Sequence, residues 1–313
     1  MSLVTDALGH HRSDRSHATA VIDVWDVAET GASRPAGPMP GSSWTAGSRS
    51  ARSHGSETVP TVLADYRTDT DTVFAFDVAG SQGFVCTGDA AAMPRYERSA
   101  PLLPVLHWLL ARHGVQVVHG GAVVHKGRAA LVVGPGGAGK STTCLSAIGS
   151  ELGCLADDYC ALEPVDGGWV VHGISAIAKV EPQGLRLLPA LGGLVDPVDL
   201  AGRTEAHDEK LLVHLRRGAR PLPRRAQLAA VVVPDLAGAA RRSVPSLERI
   251  PPAVAFRALA PSTLSQLPGA GAGAAKVIAR ALADTPAFRL EPTSDPTRLP
   301  EVIAALLDGS AWR

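Results

Sequence analysis

Short runs in which apolar and polar residues alternate fill the middle of the chain, and each predicts a half-buried strand. "VPTVLADYRT" (59–68) and "TVFAFDVAG" (72–80) alternate in this way, and "GFVCTGD" (83–89) continues a small meander. "LLPVLHWLLARHG" (102–114) repeats at helical spacing instead and stops at Gly114. "VQVVHGGAVVHKGR" (115–128) predicts a strand and a hairpin turning at "HKGR"; "AALVVG" (129–134) is a buried strand. A helix is expected over "KSTTCLSAIGSELG" (140–153), with Cys144, Leu145, Ile148 and Leu152 on one side. The next strand covers "CLADDYCALEP" (154–164).

Beyond residue 164 the pattern gives two short strands in "DGGWVVHGISAIAKV" (166–180) and a helix in "PQGLRLLPALGGL" (182–194). A polar, basic stretch separates these from "AQLAAVVVPDL" (226–236), a β-branched buried strand. From residue 251 onward the spacing predicts helices around one edge strand, "AFRLEP" (287–292), with the last helix closing the domain. Residues 1–57 read differently. Rich in Gly, Ser, Pro, Ala and Arg, they predict a flexible polar tail containing one short isolated strand within 17–29. The expected organisation is therefore one α/β domain over 58–313, with a β meander at 58–100 and the core at 101–313. No internal repeat interrupts it.

Composition narrows the class. The 313 residues carry 30 basic and 30 acidic side chains, so no global charge favours nucleic acid or a membrane surface as partner. Aromatics are only 4%, which leaves the core to Leu, Val, Ile and Ala. The four cysteines have no CxxC spacing and predict buried free thiols. The chain start has no apolar segment of signal-peptide length and no run reaches a membrane span, so a cytoplasmic protein is expected.

"GPGGAGKST" (134–142) carries the strongest chemical signal. Gly134, Gly139, Lys140 and Ser141 match G-x-x-x-x-G-K-[ST], between a β-branched run and a helical one. Backbone N–H groups can converge on phosphate oxygens only where side chains are absent, which Gly134, Gly136, Gly137 and Gly139 provide. Pro135, Ala138 and Thr142 complete the expected nucleotide-binding segment. Lys140 supplies charge for β- and γ-phosphates, the helix start adds to it, and the Ser141 hydroxyl can ligate Mg²⁺. Asp157 and Asp158 arrive after one helix and one returning strand, so they emerge beside this loop. Successive strand residues face opposite ways, so one carboxylate can take a metal or its water while the other reaches an acceptor. His119 precedes Gly134 by fifteen residues, on a strand placed to contact either the aspartates or a phosphate.

"HGGAVVHKGRAALVVGPGGAGKSTTCLSAIGSELGCLADDY" (119–159) resembles the catalytic core of the HPr kinase/phosphorylase-like family. The resemblance implies an HPr kinase/phosphoenolpyruvate carboxykinase-like core: a mixed sheet, a strand–P-loop–helix–strand unit and flanking helices. It further implies ATP and Mg²⁺, Lys140 on the phosphates, Ser141 and Asp158 on the metal, Asp157 as general base and His119 in the active site. The family's Glu-x-Arg-Gly signature is missing from "VVHGISAIAKV", and Lys179 and Lys210 are the candidate replacement cations. Short members that phosphorylate a peptide hydroxyl look like the nearer model, and related kinases form homo-oligomers. Three expectations stay open: a kinase acting on a peptide or protein serine, a small-molecule alcohol kinase, and a nucleotide-binding module without transfer. Arg203 joins Lys179 and Lys210 as a candidate wall of a small-molecule pocket. "RRGARPLPRR" (216–225) is either a solvated, proline-stiffened loop or an anion-reading one.

Overall fold

The computed structural model describes residues 2–13, 18–33, 62–197, 210–237, 239 and 242–309. Its N-terminal part comprises helix α1 (Ser2–Leu8), strand β1 (Val21–Asp26), helix α2 (Val27–Thr30) and strands β2 (Val62–Arg67), β3 (Thr72–Asp77) and β4 (Gln82–Thr87). The last three form the expected antiparallel meander. β1 lies parallel to β4 and completes a four-stranded sheet in the order β1-β4-β3-β2. The expected tail is thus folded onto the domain wherever it is described. Alternating "VIDVW" meets the open edge of β4, and the helix before it buries Ala7 completely. The remainder of that segment, residue 1 with 14–17 and 34–57, lies outside the described residues.

Helices α3 (Arg95–Arg98) and α4 (Leu103–Arg112) lead to the main sheet, and Gly114 ends α4 at a left-handed φ of 76°. Strands β5 (Gln116–His119), β6 (Gly121–His125) and β7 (Arg128–Val132) follow, then helix α5 (Lys140–Leu145), β8 (Gly153–Ala156), β9 (Tyr159–Val165) and β10 (Gly168–Gly173). β11 (Ile177–Val180) pairs with β12 (Leu211–His214) as a separate two-stranded ribbon, with α6 (Pro182–Leu187) between them in sequence. The chain closes with β13 (Arg225–Pro234), β14 (Ser246–Ile250), α7 (Pro252–Gln266), α8 (Ala272–Ala283), β15 (Ala287–Glu291) and α9 (Leu299–Asp308). The main sheet runs β5-β9-β10-β13-β7-β6-β8, and β15 and β14 extend it from β13. Parallel and antiparallel pairs are mixed.

Both faces of this sheet are covered, which is why its strands read as continuous apolar runs. Ala129, Leu131 and Val133 point to one side and pack with Ala255 and Leu259 of α7 and Ile278 and Leu282 of α8. Ala130 and Val132 point to the other and meet Leu145 of α5, Ile303 and Leu307 of α9, and Ala178 and Val213 of the ribbon. Each of these buried Leu, Ile or Val side chains contributes about 1.5–3 kcal/mol relative to exposure. β6 is antiparallel to both β7 and β8, so β7 and β8 run the same way and end at one rim. The returning strand does not pair with β7 directly, because β6 lies between them.

Candidate active site

At that rim β7 delivers the glycine-rich loop. Gly137 and Gly139 adopt φ of 77° and 93°, conformations that strain any other residue, and a Cβ on Gly134 would stand 3.0 Å from the Ala138 Cβ. α5 then starts at Lys140, and the Thr143 amide donates to the Gly139 carbonyl at 2.9 Å. Lys140 is buried. Its Nζ donates to the carbonyls of Gly134 (2.8 Å) and Pro135 (3.1 Å), folding the side chain over the loop. Burial pulls its pKa down, and the charges of Asp158 and Asp157 oppose that pull.

The Gly-Gly and Asp-Asp pairs belong to one structural device. β5–β6 and β8–β9 form a continuous antiparallel two-stranded run in which His119 faces Tyr159 and Ala122 faces Ala156. Gly120 and Gly121 therefore lie opposite Asp157 and Asp158, where the run bends and the ladder is interrupted. A Cβ on Gly121 would fall 2.4 Å from Cys144 Sγ and 2.6 Å from the Asp157 carbonyl. Only glycine lets the two backbones approach this closely, and the bend frees both carboxylates from the sheet.

The two aspartates have different surroundings. Asp158 Oδ1 lies 3.2 Å from His119 Nε2, and its Oδ2 2.7 Å from Lys179 Nζ. Burial alone would raise its pKa, but the His119 hydrogen bond and the Lys179 charge win and hold it well below the usual carboxylate range. Asp157 Oδ2 accepts the Lys179 backbone amide at 2.8 Å, and its Oδ1 is buried. Burial, reinforced by the charge of Asp158, pushes Asp157 up to about 6, against the Lys179 amide and the Ser141 side chain. β11 thus touches both carboxylates, one through the backbone and one through the side chain of Lys179.

A cavity of about 1040 Å³ opens over this rim. It is lined by His119, Lys140, Ser141, Asp158, Lys179 and Lys210, and also by Gly136, Gly137, Gly139 and Thr142. Asp157 is not on its surface. It borders a space of about 10 Å³ behind the rim, with Asp158, Ser99 and Ser175. Arg203 lies outside the described residues. The arginine-rich segment serves packing: Arg216 donates to the Thr5 carbonyl at 3.1 Å, Arg217 pairs with Asp196 at 3.3 Å, and Arg220 donates to the Ser150 carbonyl at 2.7 Å.

Sequence reasoning missed several members of the site. The buried Thr263 hydroxyl, on α7, accepts the His119 amide at 3.0 Å and fixes the end of β5. Tyr159 stacks 5.3 Å from the His119 ring, and its hydroxyl donates to Gln266 Oε1 at 2.6 Å. Asp65, Arg67, Asp69 and Tyr96 bring the N-terminal sheet and α3 into the cavity wall. No local spacing connects any of these with the glycine-rich loop; Pro261 inside α7 is the only sequence mark near Thr263.

No family model matches the chain, and no curated protein is significantly similar to it. Among solved structures, an HPr(Ser) kinase/phosphatase from Coxiella burnetii is distantly similar. The match has 11% identity and a TM-score of 0.33, and covers 62% of this chain and 95% of that one. A likeness that remote says nothing about the chemistry at this rim. Among the described residues no helix is long and apolar enough to cross a membrane.

Proposed function

We propose that the chain is a Mg²⁺-dependent phosphotransferase that moves the γ-phosphoryl group of ATP to an alcohol. The convergence of Lys140, Ser141, His119, Asp158 and Lys179 on one cavity rim carries this reading. Phosphoryl transfer needs alignment and charge neutralisation more than covalent chemistry, and those are what these residue types supply. The amides of residues 134–139 and the Lys140 ammonium hold the β- and γ-phosphates. Magnesium, when bound, would neutralise charge on the transferring group. Two hard oxygen donors fit it, the Ser141 hydroxyl and the Asp157 carboxyl that the Ser141 side chain reaches.

Asp158 is the residue that takes the acceptor proton. Geometry decides before basicity: Asp158 lines the cavity and Asp157 stands behind it. This reverses the roles that the family resemblance implies for the pair. A low pKa is no obstacle, because in a loose transition state the proton leaves late. His119 and Lys179 clamp the two Asp158 oxygens and set the direction in which the carboxylate can receive the hydroxyl. Lys210, on the same wall, adds a third cation over the phosphates.

The acceptor is a peptide serine or a small alcohol, and the size of the cavity accommodates either. The test is a split between binding and chemistry. Asp158→Asn should retain Mg²⁺-dependent ATP binding by calorimetry and lose phosphate transfer. Asp157→Asn should lose the dependence of binding on Mg²⁺. If Asp158→Asn transfers phosphate at the rate of the unsubstituted protein, the base assignment is wrong.

A further inference from the structure

His119 and Asp158 meet through one contact, His119 Nε2 to Asp158 Oδ1 at 3.2 Å. This is the longer of two links to the Asp158 carboxylate, the other being Lys179 Nζ at 2.7 Å. It stands at the upper end of the range for an N–H···O bond, so a small turn of the imidazole breaks it. The second side-chain torsion of histidine is only weakly restricted by its own energetics, so neighbours have to set the ring plane. The other ring nitrogen does not help: Nδ1 is buried and has no hydrogen-bond partner among the described residues. The ring rests instead on Tyr159, its cross-strand partner between β5 and β9. Their centroids are 5.3 Å apart and the planes tilted by 39°.

Tyr159 is itself tethered from outside the sheet. Its hydroxyl donates to Gln266 Oε1 at 2.6 Å, although Tyr159 is only half-buried and Gln266 is exposed. Water can satisfy both groups there, so the bond adds little to folding; its effect is to fix where the phenol ring stands. The tether has a rigid base. Gln266 is the last residue of α7, three positions after Thr263, whose hydroxyl accepts the His119 amide. Leu267 follows, buried in one cluster with Val117 of β5 and Ala161 of β9. Trp108 of α4, also buried, donates its indole N–H to the Pro268 carbonyl at 2.8 Å. One helix end therefore holds His119 twice: its backbone through Thr263, and its ring through Gln266 and Tyr159.

We infer that Tyr159 and Gln266 are positioning residues for phosphoryl transfer, the phenol ring held by Gln266 keeping the His119 imidazole against Asp158. The inference rests on the phosphotransfer reading above. It makes the direction in which Asp158 faces an acceptor depend on the end of α7.

The experiment uses the full chain and γ-labelled ATP, with serine peptides, small alcohols and water as acceptors of the label. Tyr159→Phe keeps the ring and loses the tether; Gln266→Ala removes the tether from its exposed end. Either should lower kcat about two- to tenfold, the effect of one hydrogen bond, and leave KM for ATP within about twofold. Tyr159→Leu, which removes the ring as well, should lower kcat further. Combining Tyr159→Phe with Gln266→Ala should cost no more than either alone, since both cut the same tether. A role confined to folding would leave the imidazole of the folded protein where it is. Its nitrogen NMR signals, assigned by their loss in His119→Gln, should shift or broaden in Gln266→Ala, which leaves both rings in place. Unchanged kcat or unchanged ring signals overturn the inference. A raised KM for ATP with kcat intact does so too, because the two side chains would then be contacts of ATP itself. ATP binding by the unsubstituted protein with no label reaching any acceptor, or no ATP binding at all, overturns the phosphotransfer reading and this inference with it.

Discussion

Substituting Gly121 by alanine tests the physical basis of the site without touching a charged group. The added methyl would need to occupy a point 2.4 Å from Cys144 Sγ, 2.6 Å from the Asp157 carbonyl oxygen and 3.0 Å from that of Ala156. Cys144, on α5, is fully buried in the core and cannot swing aside, and two of the three obstacles are backbone. The corner therefore has to open, at a cost of about 1–3 kcal/mol, the range for forced overpacking. Opening it moves Asp157 and Asp158 away from Lys179 and His119, so transfer should fall by more than the loss of folded protein explains. Urea unfolding and labelled-phosphate transfer, measured on the same preparations, separate the two effects. Gly120→Ala is the control: its nearest neighbour is the Val132 carbonyl at 3.1 Å, a contact that small shifts can relieve. Adding Cys144→Ala to Gly121→Ala should restore only part of the stability, because the carbonyl contacts persist. A Gly121→Ala protein with unchanged unfolding midpoint and unchanged transfer would refute the account of the corner.

Thr263→Val leaves the buried His119 amide without an acceptor and should cost about 1–3 kcal/mol, read from denaturant unfolding, with a fall in transfer. Asp157→Asn should stabilise the protein near pH 7 while impairing Mg²⁺-dependent function. Its folded-state pKa is raised to about 6, so the ionised group opposes folding above that pH. His10 gives the opposite pH dependence. Burial first, then the charges of His11, Arg216 and Arg224, lowers it from 6.5 to about 4. The unfolded chain takes up this proton first, so the stability His10 allows is complete above pH 6.5 and is lost as pH falls from 6.5 toward 4. The urea midpoint should drop over that window, less steeply in His10→Leu; the same slope in both proteins would exclude His10 as the cause.

Period-two runs named the meander and continuous apolar runs named β7 and β13 correctly, because strands sandwiched between two apolar layers leave a strong local pattern. The glycine-rich loop was equally plain, since its residue types answer to backbone geometry at fixed spacing. Three elements were not legible. "CLADDYCALEP" reads as one strand but breaks into β8 and β9, because its break is imposed by Gly120 and Gly121, nearly forty positions upstream. The helix after Lys140 stops at Leu145 rather than running to Gly153; left-handed Gly149, with a φ of 85°, lies in the segment that would have continued it. β14 escaped notice because "SLERI" is largely solvent-facing and borrows its pairing from β15. Distance in sequence likewise hid Thr263 and the N-terminal wall.

The central claim is that the loop around Lys140 and the carboxylates at the corner act on one nucleotide. Calorimetric titration with ATP, with and without Mg²⁺, measures it most directly. The account predicts saturable binding that Mg²⁺ strengthens and Lys140→Ala abolishes. Binding that ignores both the metal and the lysine would contradict it.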